Sequence, residues 1–333
     1  FLLVAGEELP KGRYWQGRVA WHLGNRKRAI ASWQEAVRRH PHHFYGIEAA
    51  RALERAKAPL PNDPDAPPFP PFPDWNATTG NIAEQRAREL FRLHFYEPAA
   101  RALQERLEDD AGNRTLVLAL AEALHRGGKH GEAARVLEGR FAETLRRGGA
   151  EVPRRFWEIA YPLDFVAQLE DASRRYHLDL FLVAALIRQT SFFEPEGAQG
   201  WRPLLPLPPL PKGSQSLPQA EGKPLPPAVT LDLGCAWLRK RLDHFHGHLP
   251  FVLAAYRADE ARVKRWWKRS RSGILRDDPN YAIETIDDPA TNAFVKNVLT
   301  DLARYRKIYR EGPRSSEEFE GGSTSSHDAR EGG

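Results

Sequence analysis

The sequence contains no methionine and a single cysteine, Cys235, among its 333 residues. One cysteine excludes a disulfide bond within the chain. It leaves the compartment open, because proteins without disulfides occur on both sides of a membrane. No apolar run approaches the roughly 20 residues that a membrane-spanning helix requires. The opening stretch FLLVAGEELPKG is too short an apolar run for an intact signal peptide, so we expect a processed form or a fragment.

What the chain does contain is typical of a folded, soluble protein. Hydrophobic residues make up 41% and charged residues 28% of the composition, and 333 residues suggest two or three domains. The formal net charge is +5. This modest excess fits an anionic partner, such as a cell-wall polymer, a membrane surface or nucleic acid, and it selects none of them.

Residues 13–57 show the pattern of paired helices. Small and large apolar residues alternate there, and the spacing of Gly24, Ala29 and Trp33 recurs from Gly128 onward. Small residues let two helices approach closely while large ones fill the groove of the next repeat, so the pattern resembles tetratricopeptide-like (TPR-like) helical hairpins. Such repeats usually form a scaffold or a peptide-binding surface.

Two proline-rich stretches, residues 58–80 and 201–228, interrupt the helical pattern. Proline disfavours helix and makes a stiff, extended connector. In the first stretch, Phe69, Phe72 and Trp75 could anchor such a connector on the surface of the repeats. The alternative interpretation is a proline-rich ligand for a partner domain.

The second half of the chain is predicted to form longer amphipathic helices from about Tyr161 onward, with Asp179 as the N-cap of an apolar helix. No segment indicates a sheet. Residues 312–333 are polar and glycine-rich, and we expect this tail to be disordered. The sequence therefore predicts an all-α protein.

Five stretches, taken in order, resemble the soluble lytic transglycosylases, a family that cleaves peptidoglycan. HHFYGIEAARAL (42–53) resembles a helix-joining segment of the family's superhelix, and YPLDF (161–165) resembles the entry to its catalytic domain. LVAALIRQTSFFEP (182–195) resembles the catalytic helix. The stretches at 231–266 and 283–306 resemble the long helix with its A-A-Y-N-A-G segment and the closing I-E-S-I-P stretch.

The resemblance implies an all-α fold, with a TPR-like helical-repeat superhelix in residues 1–150 and a lysozyme-like α domain in residues 151–311. It implies peptidoglycan glycan strands as the partner and an extracytoplasmic location, in the periplasm or cell envelope. Envelope proteins could also bind the repeats. We expect no cofactor, no metal, no nucleic-acid partner and no transmembrane segment.

The departures from the family pattern fall where the chemistry is expected. The resemblance places the family's catalytic glutamate at Thr190 and a groove glutamine at Pro203. The asparagine and glycine of A-A-Y-N-A-G become Arg257 and Asp259, and a tyrosine of the closing stretch becomes Phe294. The site that the resemblance implies is therefore degenerate.

The candidate substrate-binding residues that the resemblance implies combine retained and altered family positions. They are Gln189, Tyr256, Arg257, Glu284 and Phe294. For the retained positions, a role in folding is as compatible with the sequence as a role in binding.

Replacement of the glutamate bears directly on mechanism. In the family one protonated glutamate donates its proton to the glycosidic oxygen, and it then acts as base while the sugar's C6 hydroxyl closes on C1. This requires an acid with a raised pKa in an apolar cleft, and a threonine hydroxyl does not titrate near neutral pH. Glu194 and Glu196 are weak substitutes, because Pro195 moves the backbone of Glu194 out of helical geometry. We therefore expect Thr190 to be inert.

Two further motifs allow a functional and a structural interpretation. HFHGHL contains His244, His246 and His248, for which a metal site is conceivable. However, side chains two residues apart on a helix diverge, and histidines are favourable at a helix C-terminus. Cys235 is expected to be a small buried residue and not a nucleophile, since no neighbouring pattern supplies a base.

The stretch RVKRWWKRSRSGILR (262–276) is basic and contains Trp266 and Trp267. Our default interpretation is a solvated basic face with one tryptophan in the core. Contact with an anionic glycan or a lipid surface is the second interpretation, and stacking on single-stranded nucleic acid the third.

Three functional hypotheses follow. The favoured one is a catalytically inactive lytic transglycosylase-like protein that binds peptidoglycan or serves as an envelope scaffold. The second is an active, divergent transglycosylase that uses Glu194, Glu196 or Glu284 to form 1,6-anhydro products. The third is a helical-repeat interaction module without glycan affinity.

Overall fold

The computed structural model describes residues 10–61, 68–149, 151–194, 196–197, 200–201, 203–207, 225–272 and 278–310. Most of the opening stretch, most of the second proline-rich segment and the tail predicted to be disordered lie outside the described residues.

The described residues form sixteen α-helices, of which eight lie in the first half of the chain. These are α1 (Pro10–His22), α2 (Arg26–Arg39), α3 (Phe44–Arg55), α4 (Ile82–Arg92), α5 (Tyr96–Asp109), α6 (Arg114–Arg126), α7 (His130–Arg140) and α8 (Ala142–Arg147). The second half contributes α9 (Arg154–Ala160), α10 (Val166–Arg175), α11 (Leu180–Thr190), α12 (Pro227–His244), α13 (Leu249–Ala254), α14 (Glu260–Ser270), α15 (Pro279–Glu284) and α16 (Pro289–Arg310).

Side-chain caps explain where several helices begin. Asn25, Asn81 and Asn113 each precede a helix, and each side-chain oxygen accepts a hydrogen bond from a backbone N–H of the first turn. Asp179 caps α11 in the same way, with its carboxylate 2.8 Å from the backbone nitrogen of Phe181. Such caps satisfy N–H groups that have no partner within the helix. The N-cap predicted at Asp179 is confirmed.

Helices of the first half pack in pairs, α1 on α2, α4 on α5 and α6 on α7. Gly17 in α1 lies directly against the Trp33 indole, and a Cβ atom at position 17 would collide with that ring. The indole N–H of Trp33 in turn donates to the backbone oxygen of Tyr14 at 3.2 Å. The small residue Gly17 therefore lets Trp33 pack α2 closely on α1, while the TPR-like character of the helix pairs stays a prediction.

The first proline-rich stretch runs without regular secondary structure over its described part and is fixed by aromatic contacts. Phe69 packs against Phe141 and Phe156, with ring centroids 5.9 and 5.2 Å away. Trp75 stacks on Phe91 with centroids 3.6 Å apart. These contacts fix the described part of the stretch against α4 and α9 and against Phe141, and its role as a connector on repeats stays a prediction.

Helix α11 is the central element of the second half, and its residues from Leu182 to Arg188 are all buried. It packs against α10 and along α16, the longest described helix. The predicted all-α fold is confirmed, with one exception that the sequence did not indicate. Two-residue strands β1 (Glu196–Gly197) and β2 (Gly200–Trp201) pair antiparallel, with Glu196 opposite Trp201. A ladder this short shows too little alternation to be read from sequence.

The two halves of the chain touch at several places. Helix α3 contacts α16, and α6 and α7 contact α9. Within the described residues, no helix combines the length and apolar character needed to cross a bilayer.

Candidate functional site

The C-terminal end of α11 is followed by an unusual backbone turn. The backbone N–H groups of Ser191 and Phe192 both donate to the Ile187 oxygen, at 2.8 and 3.0 Å. Phe192 and Phe193 then have φ angles of 54° and 61°. Consecutive aromatic residues in the left-handed region are uncommon, and each is expected to cost on the order of 1 kcal/mol. The chain therefore turns sharply just after Thr190.

The hydroxyl of Thr190 is engaged with backbone carbonyls. It lies 2.7 Å from the Leu186 oxygen and 3.1 Å from the Leu204 oxygen. The Ser191 hydroxyl also lies 3.0 Å from the Leu204 oxygen. Both hydroxyls therefore hold the loop around Leu204 against the end of α11.

This loop is also fixed from its other side. Leu204 and Leu205 are fully buried, and Gly234 of α12 lies against Leu205. A Cβ atom at position 234 would lie 2.5 Å from the Leu205 Cβ. The loop between Pro203 and Leu207 is therefore held between α11 and α12, beside the position where the resemblance places the family's glutamate.

The two nearest carboxylates are not equally placed. Glu194 forms an ion pair with Arg135 of α7, and its carboxylate packs on Gly131 of the same helix. The side chain of Glu196 lies outside the described residues, although its backbone belongs to β1. Glu194 is thus tied to helix α7, and this placement does not suit a free proton donor.

Glu284 links the two halves of the chain. Its carboxylate accepts hydrogen bonds from Lys11 and from the hydroxyl of Tyr45, and the Lys296 ammonium lies 2.8 Å away. Burial raises the pKa of Glu284, but the hydrogen bonds from Lys11, Lys296 and Tyr45 outweigh it, so the pKa lies below its ordinary value. A general acid needs the opposite shift.

Gln189 is used inside the fold. Its side-chain amide donates to Asp301 of α16 at 2.6 Å. The neighbouring Arg188 is almost fully buried and bonds to Asp301 at 3.1 Å, to Glu138 of α7 at 2.6 Å and to the Ala160 backbone oxygen at 3.1 Å. Asp301, which the sequence analysis did not single out, is therefore the acceptor that holds both side chains.

Two candidate residues meet directly. The Arg257 guanidinium lies over the Phe294 ring, 4.6 Å from its centroid. Arg257 is exposed and Phe294 is buried. The arginine therefore covers an aromatic ring at the two positions where the resemblance indicated altered family residues, a cation–π contact of about 0.5–1 kcal/mol at an exposed site.

Tyr256 presents a buried polar group. No hydrogen-bond partner of its hydroxyl is found among the described residues. Burial raises the pKa of Tyr256, Cys235 raises it further, and Arg241 opposes the shift. The hydroxyl is therefore neutral, and it is buried away from any surface that a ligand could reach.

The remaining sequence motifs show no catalytic geometry within the described residues. No group of three or more His, Cys, Asp or Glu side chains there has the arrangement of a metal site. Cys235 is fully buried, and burial together with the charge of Asp232 raises the pKa of its thiol to about 12. A thiol in this environment is not a nucleophile at neutral pH.

No protein-family model matches the sequence. Solved structures do match. The lytic transglycosylase Slt of Pseudomonas aeruginosa, solved as an inactive mutant, shares 23% identity at a TM-score of 0.58, and the match covers 92% of this chain and 47% of that one. A 70-kDa soluble lytic transglycosylase in complex with bulgecin A shares 21% identity at a TM-score of 0.62, with coverage of 92% and 47%.

The 70-kDa soluble lytic transglycosylase of Escherichia coli shares 20% identity at a TM-score of 0.63, with coverage of 91% of this chain and 46% of that one. The chain thus spans about half the length of these enzymes. At these identities the likeness concerns the fold, which the sequence analysis expected. The chain has the all-α fold of the soluble lytic transglycosylases over nine tenths of its length.

Proposed function

We propose that this is a lytic transglycosylase-like, peptidoglycan-associated protein of the cell envelope that has no transglycosylase activity. The proposal rests on the hydrogen bonding of Thr190. Its hydroxyl lies within hydrogen-bond distance of the backbone oxygens of Leu186 and Leu204, and it cannot act as an acid near neutral pH. The protein then acts by binding glycan strands or as a scaffold, through a TPR-like repeat domain in residues 1–150 and a lysozyme-like domain in residues 151–311.

The chemistry supports inactivity. General acid–base catalysis contributes on the order of 10²–10⁴-fold, and a mechanism with a single acid loses all of that when the acid is absent. Neither described substitute is suited to the task, since Glu194 is ion-paired with Arg135 and Glu284 has a lowered pKa. The Pseudomonas aeruginosa neighbour was itself solved as an inactive mutant in which glutamine replaces a glutamate.

Glycan binding and an extracytoplasmic location rest on the fold of the neighbours and on the positive net charge of the chain. Arg257 is the residue that we propose contacts the glycan, because its side chain is exposed.

The proposal is tested by digesting purified sacculi and measuring 1,6-anhydromuropeptides by mass spectrometry. We expect no product from the native chain and measurable product from Thr190→Glu. Thr190→Gln is the matched control, because glutamine has nearly the same size and cannot donate a proton as an acid. Anhydro products from the native chain would overturn the inactive assignment and direct attention to Glu196.

A sacculus pull-down separates glycan binding from a pure scaffold role. We expect the native chain to sediment with sacculi and the Arg257→Ala variant to sediment less. If the native chain stays in the supernatant, the interaction-module hypothesis replaces the glycan-binding one.

A further inference from the structure

Positive charge is concentrated on one helix of the second half. Residues 260–272 contain six basic residues and one acidic residue, a net charge of +5 that equals the formal net charge of the whole chain. The rest of the sequence is therefore balanced. Helix α14 buries Val263, Trp266 and Ser270. Its charged side chains therefore lie on the side of the helix that faces solvent.

The solvent side of α14 and the residue that follows it form what we call the basic face. It consists of five exposed side chains, Lys264, Arg265, Lys268, Arg269 and Arg271. A face of this kind on a surface helix is attractive to a surface that carries many phosphates.

Only part of the basic face is neutralised within the fold. Lys264 lies 2.7 Å from Glu260, and Arg269 lies 3.1 Å from Asp287. Both pairs are exposed and contribute little, so their cations can exchange the carboxylate for another anion. Within the described part of the chain, Arg265 and Lys268 show no carboxylate at ion-pair distance.

A second stretch of sequence reaches the same place. The turn between α12 and α13 brings the rings of His246 and His248 to 5.8 and 6.4 Å from the Trp267 ring, and the Arg271 guanidinium lies 5.8 Å from it. Phe245 packs against the same indole at 5.6 Å. The histidine motif and the basic motif, which are separate in the sequence, thus form one polar surface around Trp267.

The arrangement discriminates between anionic partners. Single-stranded nucleic acid is held by exposed aromatic platforms in a basic groove. Here Trp267 is partly buried and surrounded by two imidazoles and a guanidinium, while the cations lie on the outer flank of a helix. This surface presents positive charges and hydrogen-bond donors, whereas its indole ring is only partly exposed for base stacking. It is therefore complementary to an extended layer of phosphate groups. We propose that the basic face docks the protein on an anionic phospholipid bilayer.

The test is sedimentation of the full chain with vesicles of phosphatidylglycerol and phosphatidylcholine. At about 0.1 M salt, where the Debye length is about 10 Å, we expect binding to the mixed vesicles, none to pure phosphatidylcholine, and release at about 1 M salt, where the Debye length falls to about 3 Å. Arg265→Gln/Lys268→Gln should weaken partitioning about 30-fold, since each basic residue near an anionic bilayer contributes about 1 kcal/mol.

The matched control is Lys27→Gln/Arg28→Gln, which removes the same charge from exposed positions in the first turn of α2. It should stay within about twofold of the native chain, because the effect of a removed charge fades over a Debye length. If both variants lost vesicle binding equally, net charge alone would explain the binding, and the proposal would be overturned. So would a native chain that binds a short single-stranded oligonucleotide but no vesicles. Neither result bears on Thr190, whose activity test is separate.

Discussion

The buried contact between Arg188 and Asp301 gives the sharpest stability prediction. The two side chains are 3% and 5% exposed and come from helices α11 and α16. Asp301→Ala removes the main counter-charge of Arg188 and the acceptor of Gln189 at once. Burial raises the pKa of Asp301, and Arg188 and Gln189 only partly offset that. Burial therefore disfavours the ionised carboxylate of Asp301, and the contacts with Arg188 and Gln189 offset part of that free-energy cost.

The expected loss in the free energy of unfolding depends on which groups still contact the Arg188 guanidinium. After Asp301→Ala, the Arg188 guanidinium keeps Glu138, which is 38% exposed, and the faces of the Tyr161 and Phe192 rings at 4.3 and 5.3 Å. Removing one partner of a buried pair typically costs about 3–5 kcal/mol. Because Glu138 remains, we expect a loss near the lower end, about 3 kcal/mol.

The measurement is urea unfolding followed by tryptophan fluorescence, with two controls. Arg188→Met/Asp301→Leu removes both charges, and it should cost less than Asp301→Ala because no charge is left buried and unpaired. Glu97→Ala breaks the exposed pair with Arg101 and should cost less than about 1 kcal/mol. A loss for Asp301→Ala no larger than that for Glu97→Ala would refute the role assigned to this contact.

Two other outcomes are expected. Because the folded-state pKa of Glu284 lies below its ordinary value of 4.5, its ionised form stabilises the fold above that pH, and the gain disappears as the pH falls through the folded-state pKa. The stability difference between the native chain and Glu284→Gln should therefore be largest near neutral pH and shrink in acid, and a constant difference in urea titrations would contradict this. Gly131→Ala should cost about 1–3 kcal/mol, because a Cβ there collides with the Phe192 oxygen, whereas Gly139→Ala on the same helix meets open space and should be neutral or stabilising in thermal unfolding.

Structural features that depend only on residues close together in the chain could be predicted from the sequence. The Asp179 cap needs only an aspartate before an apolar run, and the Phe69 and Trp75 anchors need only aromatic residues in a stiff connector. Asp301 could not be found in this way, because it meets Arg188 across 113 positions and its own helix carries many other polar residues. Glu284 likewise meets Tyr45 across 239 positions.

The carbonyl oxygens around Thr190 also bear on what the Thr190→Glu variant can do. The Thr190 hydroxyl, which has one proton to donate, lies within hydrogen-bond distance of the oxygens of Leu186 and Leu204. An ionised carboxylate near the same oxygens would place acceptor against acceptor, whereas a protonated carboxyl group could donate as the threonine does. Hydrogen bonding of the neutral form raises the pKa of an acid.

We therefore expect the new carboxyl group in Thr190→Glu to titrate above the ordinary pKa of about 4.3 for glutamate. Carbon-13 NMR of the labelled side chain would measure this shift. A raised pKa without activity would mean that the loop at Leu204, which lies against Thr190, keeps the glycan away from the new acid. An ordinary pKa would mean that the side chain has turned away from the carbonyl oxygens, and the Thr190 environment would then not be the remnant of an acid site.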